Sequence, residues 1–258
     1  VGAGLGLSIS GMKAMVEMQF ADFVTCGFNQ IINNLAKIHW RWGQQADVVV
    51  RMPTGAGTAA GPFHSQSNEA WFTKTPGLKV VYPAFPYDAK GLLKSAIQDP
   101  DPIVFMESEM MYSDNCEIPD EEYYIPLGKA EVKREGADCT IVSFSKMMKV
   151  ALSAADELAK DGVQCEVIDL RTIRPLDIDT IVSSVKKTNR LVIVEESWPF
   201  GSIASEITFQ VQRHAFDYLD APIKRVTGAD SSMHYAPNLV EAYLPNPAKV
   251  IAAVRSAL

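Results

Sequence analysis

The chain has 258 residues, enough for one large α/β domain or two domains of ordinary size. With 47% hydrophobic and 21% charged residues, it has the composition of a globular protein with a substantial core. A net charge of -7 argues against a nucleic-acid-binding surface, and no apolar run approaches the roughly 20 residues of a membrane span. The four cysteines lack CxxC spacing and favour free buried thiols over a disulfide framework or a zinc site.

Helical and strand patterns alternate through the first half of the chain. Small residues recur along 2–10 and predict a closely packed helix that Gly11 ends. Further helices are predicted at 28–42, 68–73 and 86–98, and strands at 13–20, 47–53, 78–83 and 102–108. Because strands and helices alternate, we expect a parallel sheet.

An acidic segment, YSDNCEIPDEEYYIP at 112–126, interrupts the alternation and contains two prolines. We therefore predict a domain boundary here, with a first domain at 1–118 and a second at 119–258. The second domain repeats the alternation. Its strands are predicted at 139–145, 165–171, 190–196 and 222–228, and its helices at 147–162, 177–188, 202–216 and from 247 onward.

His64 is the first candidate site residue. It follows the segment RMPTGAGTAAG at 51–61, whose small residues let the backbone approach a ligand closely. Because ligands bind beyond the carboxyl ends of parallel strands, the connection after the strand at 47–53 is a place where a site forms. An imidazole transfers protons near neutral pH, which favours a catalytic role; a loop histidine bonded to Ser65 or to backbone is the structural alternative.

Other candidates also have structural interpretations. Phe23 follows the first strand, where an aromatic ring can stack on a planar ligand, although most such rings belong to the core. Asp99 and Asp101 offer oxygen ligands for a hard cation, although aspartates are also ordinary turn residues. Arg171 and Arg174 follow a strand and would suit an anion or a partner; solvated surface arginines are the simpler interpretation.

Seven sequence blocks, spread in order over essentially the whole chain, resemble those of one enzyme family. They are QFADF, IINNLAKIHW, FHSQSNEAWFTKTPGLKVVYP, DAKGLLKSAI, IPLGKAEVKREGADCTIVSFS, CEVIDLRTIRPLD and RVTGAD. The chain resembles the beta subunit of the decarboxylating component of 2-oxo acid dehydrogenase complexes, which act on pyruvate or branched-chain 2-oxo acids. The resemblance implies an α/β, thiamine-diphosphate-binding fold, with a parallel-sheet pyrimidine domain followed by a transketolase C-terminal-like domain.

The resemblance also implies roles for residues of this chain. Phe23 matches the aromatic residue that stacks on the aminopyrimidine ring of thiamine diphosphate. His64 matches the active-site histidine that transfers protons while the acyl unit passes to a lipoyl group. A potassium site is matched by Val48, Ala96, Ile97, Asp99 and Asp101. At the last of these positions relatives often have asparagine.

In this family the cofactor lies between an alpha and a beta part, and the alpha part holds the diphosphate and its magnesium ion. The resemblance therefore implies an alpha partner, either a separate subunit or a fused domain. It also implies a second beta copy and a lipoyl acyltransferase that docks on the C-terminal domain. We expect neither a nucleic-acid nor a membrane partner. The location expected is cytoplasmic in a bacterium and the mitochondrial matrix in a eukaryote.

The family's reaction needs a glutamate, in a Ser-Glu pair, that precedes the helix with which this chain begins. We therefore expect an N-terminally truncated beta part that has no decarboxylase activity in isolation. Two alternatives stay open. One is the C-terminal half of a transketolase or of a deoxyxylulose-phosphate synthase, which would have basic phosphate-binding residues near the site. The other is a non-catalytic assembly module of the same fold.

Overall fold

Two five-stranded sheets organise the chain, and the computed structural model describes residues 1–258. The helices are α1 Gly2–Ile9, α2 Ile38–Trp42, α3 Ala70–Thr73, α4 Pro86–Gln98, α5 Met147–Lys160, α6 Ile178–Thr188, α7 Ile203–Ala215, α8 Pro237–Tyr243 and α9 Pro247–Arg255. The strands are β1 Ala14–Glu17, β2 Val48–Thr54, β3 Lys79–Val81, β4 Ile103–Ser108, β5 Glu131–Arg134, β6 Cys139–Ser143, β7 Cys165–Asp169, β8 Thr172–Arg174, β9 Leu191–Val194 and β10 Lys224–Val226.

Both sheets are parallel except at one edge. The first has the strand order β1-β2-β4-β3-β8 and the second β10-β9-β6-β7-β5. Strands β8 and β5 are the antiparallel edge strands. Central strands are buried and largely apolar, as in Val48–Val50 and along Cys139–Ser143, because helices cover both faces of a parallel sheet. The predicted α/β fold is confirmed.

The main departures from the predicted elements are short or irregular pieces of structure. Residues 28–42 do not form one amphipathic helix: a π-helix at Gln30–Leu35 is followed by the five-residue α2, and Trp42 is 66% exposed. The apolar face predicted for a single α-helix is not formed, because the i→i+5 hydrogen bonding of the π-helix changes the face on which later residues lie. Strands β5 and β8 and helix α8 were not predicted, since segments of three to seven residues carry too little periodicity.

The second half of the chain is joined to the first through β8 and a buried ion pair. Strand β8 extends the first sheet by pairing with β3. The guanidinium of Arg171 lies 2.6 Å from a carboxylate oxygen of Asp88, which is fully buried on α4, and the Arg171 side chain is only 12% exposed. The interpretation of Arg171 as a solvated surface residue is therefore wrong. One cluster of 30 buried apolar residues contains side chains from both sheets.

Between Met111 and Glu131 the chain forms no regular helix or strand, and the predicted boundary at 118/119 falls in this segment. The domain division itself stays a prediction. All four cysteines are free; Cys139 and Cys165 are buried as expected, whereas Cys26 and Cys116 are exposed. None of the helices is long and apolar enough to cross a bilayer.

Candidate functional site

The carboxyl ends of three neighbouring parallel strands, β1, β2 and β4, meet at one edge of the first sheet. A 3-10 turn at Ala21–Gly27 follows β1 and carries Phe23. The loop after β2 carries His64, and a second 3-10 turn, Glu109–Met111, follows β4. The topology therefore brings both predicted residues to the edge where parallel sheets bind ligands.

Phe20, Phe23 and His64 form a cluster of three rings. The ring centroids of Phe20 and His64 are 4.8 Å apart, and those of Phe23 and His64 are 5.2 Å apart, both with edge-to-face geometry. Phe23 is 38% exposed and His64 is half-buried. Phe23 is thus not a core residue, and it presents an aromatic surface next to an imidazole.

Polar contacts hold the two segments of this cluster together. The carboxylate of Asp22 accepts hydrogen bonds from Gln66, through its backbone N–H at 3.2 Å and its side-chain amide at 2.8 Å. The side-chain amide of Asn68 donates to the carbonyl oxygen of Ala21 at 3.0 Å. These bonds connect the chain beside Phe23 to the chain beside His64, so the relative position of the two rings is fixed by the residues that flank them.

Glu109 is a carboxyl group at the same edge that the sequence patterns did not indicate. Burial raises its pKa above the ordinary value, and the nearby carboxylate of Asp22 raises it further, while His64 and Lys146 act in the opposite direction. Its Oε1 atom is buried and has no hydrogen-bond partner. Glu109 directly follows β4, and β4 is the neighbour of β2 in the sheet. A residue in this position lies at the same edge as His64, so its place after β4 is the sequence signal that indicates it.

The approach to His64 requires glycine at position 61. Gly61 has φ +70°, and a Cβ atom placed there would lie 2.2 Å from the ring of Tyr235. Tyr235 belongs to the second half of the chain and packs against this backbone, so any side chain at Gly61 would displace the ring or the loop.

Comparison with known proteins gives two family matches and close relatives. Residues 1–114 match the family "Transketolase, pyrimidine binding domain", and residues 128–250 match "Transketolase, C-terminal domain". The "Pyruvate dehydrogenase E1 component subunit beta" of Rhizobium meliloti is 46% identical over 99% of this chain and 56% of that protein. The "2-oxoisovalerate dehydrogenase subunit beta" of Bacillus subtilis is 45% identical over 98% of this chain and 79% of that protein.

This chain belongs to the family of 2-oxo acid dehydrogenase beta subunits. The predicted family is confirmed by relatives that match it over nearly its whole length. The chain spans only 56% of the Rhizobium meliloti relative, so the activity of a whole enzyme does not follow from the match alone. A solved structure titled "Split gene transketolase, inactive beta4 tetramer" has a TM-score of 0.81 and 26% identity, covering 100% of this chain and 79% of the other. It supports the same two-part fold.

Within this family fold, a cluster of acidic residues lies where the two halves of the chain meet, next to the His64 loop. Glu69 is 1% exposed, and neither of its carboxyl oxygens has a hydrogen-bond partner. Burial, reinforced by the charges of Glu195 and Glu196, raises the pKa of Glu69 to about 8. Burial also raises the pKa of Glu195 to about 7. At neutral pH Glu69 is therefore mostly protonated.

Two aspartates of the predicted potassium site, Asp99 and Asp101, pair with a lysine side chain. The Lys79 ammonium lies 2.7 Å from both carboxylate oxygens of Asp99 and 2.9 Å from a carboxylate oxygen of Asp101. The backbone N–H of Asp101 also donates to Asp99 at 2.9 Å. The carboxylates of Asp99 and Asp101 are thus paired with Lys79, and the potassium site itself stays a prediction. The chain contains no group of three or more His, Cys, Asp or Glu residues that could hold a metal ion.

Proposed function

We propose that this chain is the beta part of a thiamine-diphosphate-dependent 2-oxo acid dehydrogenase. The proposed reaction is the oxidative decarboxylation of pyruvate or a branched-chain 2-oxo acid, with reductive acylation of lipoyl groups. The observation that carries the proposal is the ring cluster at the sheet edge, where the half-exposed Phe23 lies 5.2 Å from His64. The names of the relatives, which act on pyruvate and 2-oxoisovalerate, support the substrate class.

The residues at this edge fit one half of thiamine diphosphate. Its aminopyrimidine is a planar aromatic ring, and the exposed surface of Phe23 is suited to stack on such a ring. When bound, thiamine diphosphate supplies the electron sink that lets a 2-oxo acid lose carbon dioxide. Phe23 would hold the ring and keep water from it, and Phe20 supports Phe23 at a centroid distance of 5.6 Å.

His64 would move protons at its imidazole nitrogens while the acyl group passes to lipoyl sulfur. Three features support this role. The imidazole is half-buried, it is oriented by edge-to-face contacts with two phenyl rings, and Glu109 lies close enough to interact with it electrostatically.

We propose that an alpha partner completes the pocket and holds the diphosphate and its magnesium ion. The relatives are named as beta subunits, which supports the existence of a complementary subunit. By the same proposal the isolated chain is inactive, a second beta copy joins the assembly, and the C-terminal domain docks the lipoyl acyltransferase. The proposed potassium site is formed by Val48 on β2, by Ala96 and Ile97 in the last turn of α4, and by Asp99 and Asp101 directly after that helix.

The function is tested by comparing His64→Ala with His214→Ala in the assembly of this chain with its alpha partner. His214 is an exposed histidine in the last turn of α7 and serves as the matched control. We expect His64→Ala to lower lipoyl acylation about 100-fold while thiamine diphosphate still binds, and His214→Ala to leave both unchanged. Equal acylation rates in the two variants would remove His64 from the reaction.

A substrate panel separates the competing functions. Pyruvate, a branched-chain 2-oxo acid and a ketose phosphate are offered to the assembled enzyme. Turnover of either 2-oxo acid supports the dehydrogenase, and turnover of the ketose phosphate alone supports the transketolase-type alternative. If the assembly fails to bind thiamine diphosphate, the non-catalytic assembly module is the correct interpretation. The isolated chain, run beside the assembly, tests the dependence on the partner.

A further inference from the structure

The loop that carries His64 has a backbone conformation that no helix or strand stabilises. After β2 the residues form no strand or helix until Gly61–Phe63. Gly55, Gly57, Ala59 and Gly61 all have positive φ, at +97°, +129°, +57° and +70°. Ala59 adopts this conformation without being glycine, which is unfavourable for an L-residue. Contacts from elsewhere in the chain must therefore hold the loop in place.

Two side chains of the second half of the chain bind both backbone groups of Ala56. The backbone N–H of Ala56 donates to Oε1 of Glu196 at 2.5 Å, and the ammonium of Lys146 donates to the carbonyl oxygen of the same residue. Lys146 and Glu196 also pair with each other, with Nζ 2.6 Å from Oε2. The two side chains are only 11% and 8% exposed, so this three-way contact is shielded from water.

The fold places these two residues together. Lys146 lies just beyond β6 and Glu196 just beyond β9, and β6 and β9 are paired neighbours in the second sheet. The carboxyl ends of the second sheet thus face the loop at the carboxyl end of β2. The next residue, Ser197, donates its hydroxyl to the carbonyl oxygen of Ser67 at 3.1 Å. Glu196 and Ser197, which are consecutive residues after β9, therefore bind the backbone on both sides of His64, at Ala56 and at Ser67.

We infer that Glu196 and Lys146 are positioning residues, which clamp the backbone of Ala56 and so fix the loop that presents His64. A buried ion pair adds little net stability compared with an apolar pair of the same shape. Its effect here is conformational, because both partners also form hydrogen bonds with the backbone of Ala56. The clamp itself stands on these contacts, whereas its consequence for turnover rests on the proposed function.

Hydrogen exchange on the full chain tests the clamp directly. Glu196→Gln and Lys146→Met break the pair, and Glu157→Gln breaks the exposed Lys160–Glu157 pair on α5 as a matched control. We expect amides in the segment 55–62 to exchange about tenfold faster in the two clamp variants, with β2 and β6 unchanged and the control identical to wild type. Unaltered exchange in 55–62, or acceleration spread evenly over the chain, would overturn the inference.

Steady-state kinetics of the assembled enzyme test the consequence for catalysis. We expect Glu196→Gln to lower kcat about tenfold with KM unchanged, because the substrate still binds while the imidazole is less well placed. If kcat of Glu196→Gln is unchanged in an assembly whose acylation His64→Ala does lower, the positioning role is overturned. If His64→Ala is fully active and Glu196→Gln still loosens 55–62, the clamp stands and the proposed function fails, so the two failures are distinguishable.

Discussion

Replacing Glu69 with glutamine should remove a strong pH dependence from the stability of the protein. Glu69 is 1% exposed and lacks hydrogen-bond partners, and burial together with Glu195 and Glu196 raises its pKa from 4.5 to about 8. At about 1.4 kcal/mol per pH unit, this difference corresponds to about 5 kcal/mol of unfolding free energy between the acidic and alkaline limits.

The direction of the effect follows from proton binding. Below pH 4.5 the folded and unfolded chains both carry the proton, and Glu69 contributes no pH dependence. Between pH 4.5 and about 8 the unfolded chain releases the proton while the folded chain retains it, so the free energy of unfolding falls as pH rises. Above about pH 8 both states are ionised and the loss is complete. Glutamine has nearly the same shape and cannot ionise.

The assay is urea unfolding at pH 5, 6.5 and 8 for the wild type, Glu69→Gln and the exposed control Glu157→Gln. We expect Glu69→Gln to gain about 3.5 kcal/mol relative to wild type between pH 5 and pH 8, because the unfolded wild-type chain loses its proton over that interval. Burial of the uncharged glutamine amide changes the free energy of unfolding by the same amount at every pH, so it does not affect this comparison. Parallel stability curves for wild type and Glu69→Gln would refute the assignment of a raised pKa to Glu69.

Three substitutions test the packing and ion pairs that position the site, each by urea unfolding at pH 7. Phe72→Ala removes a fully buried ring and should destabilise the protein by about 3–5 kcal/mol; a loss below 1 kcal/mol would contradict its place in the core. Arg171→Leu leaves the buried Asp88 with Lys133 as its remaining cation and should lower the free energy of unfolding by about 3 kcal/mol. Adding Asp88→Asn removes the buried charge and should restore part of the lost stability. Lys79→Met removes the cation that pairs with Asp99 and Asp101 and should cost about 1 kcal/mol. An unchanged stability at pH 7 would show that the ion pairs of Lys79 are not formed.

The parallel sheets could be predicted from sequence because their strands are short runs rich in β-branched and other apolar residues. Residues 47–53 and 139–145 contain strands that are buried almost throughout, so composition and length identify them without any tertiary information. Strand β8 could not be found in this way. It has three residues, and it becomes a strand only because β3 offers it a free edge.

The site was predictable in part for a similar reason. Phe23 and His64 each follow a strand and match a family motif, and the structure brings them together at one edge. Glu196 and Ala56 are 140 residues apart, so no local pattern connects them. The sequence favours a solvated Arg171 because a charged residue after a strand usually faces water, whereas in the structure a fully buried aspartate on α4 binds it.

Titration of thiamine diphosphate into the assembly of this chain with its alpha partner tests most directly whether Phe23 forms the ring-facing wall of the pocket. The variants are Phe23→Ala and, as control, Phe209→Ala, which removes a 58% exposed ring on α7. If Phe23 stacks on the aminopyrimidine, the Kd of Phe23→Ala rises about tenfold and that of Phe209→Ala does not change. An unchanged Kd in Phe23→Ala would contradict the placement of the cofactor at this edge.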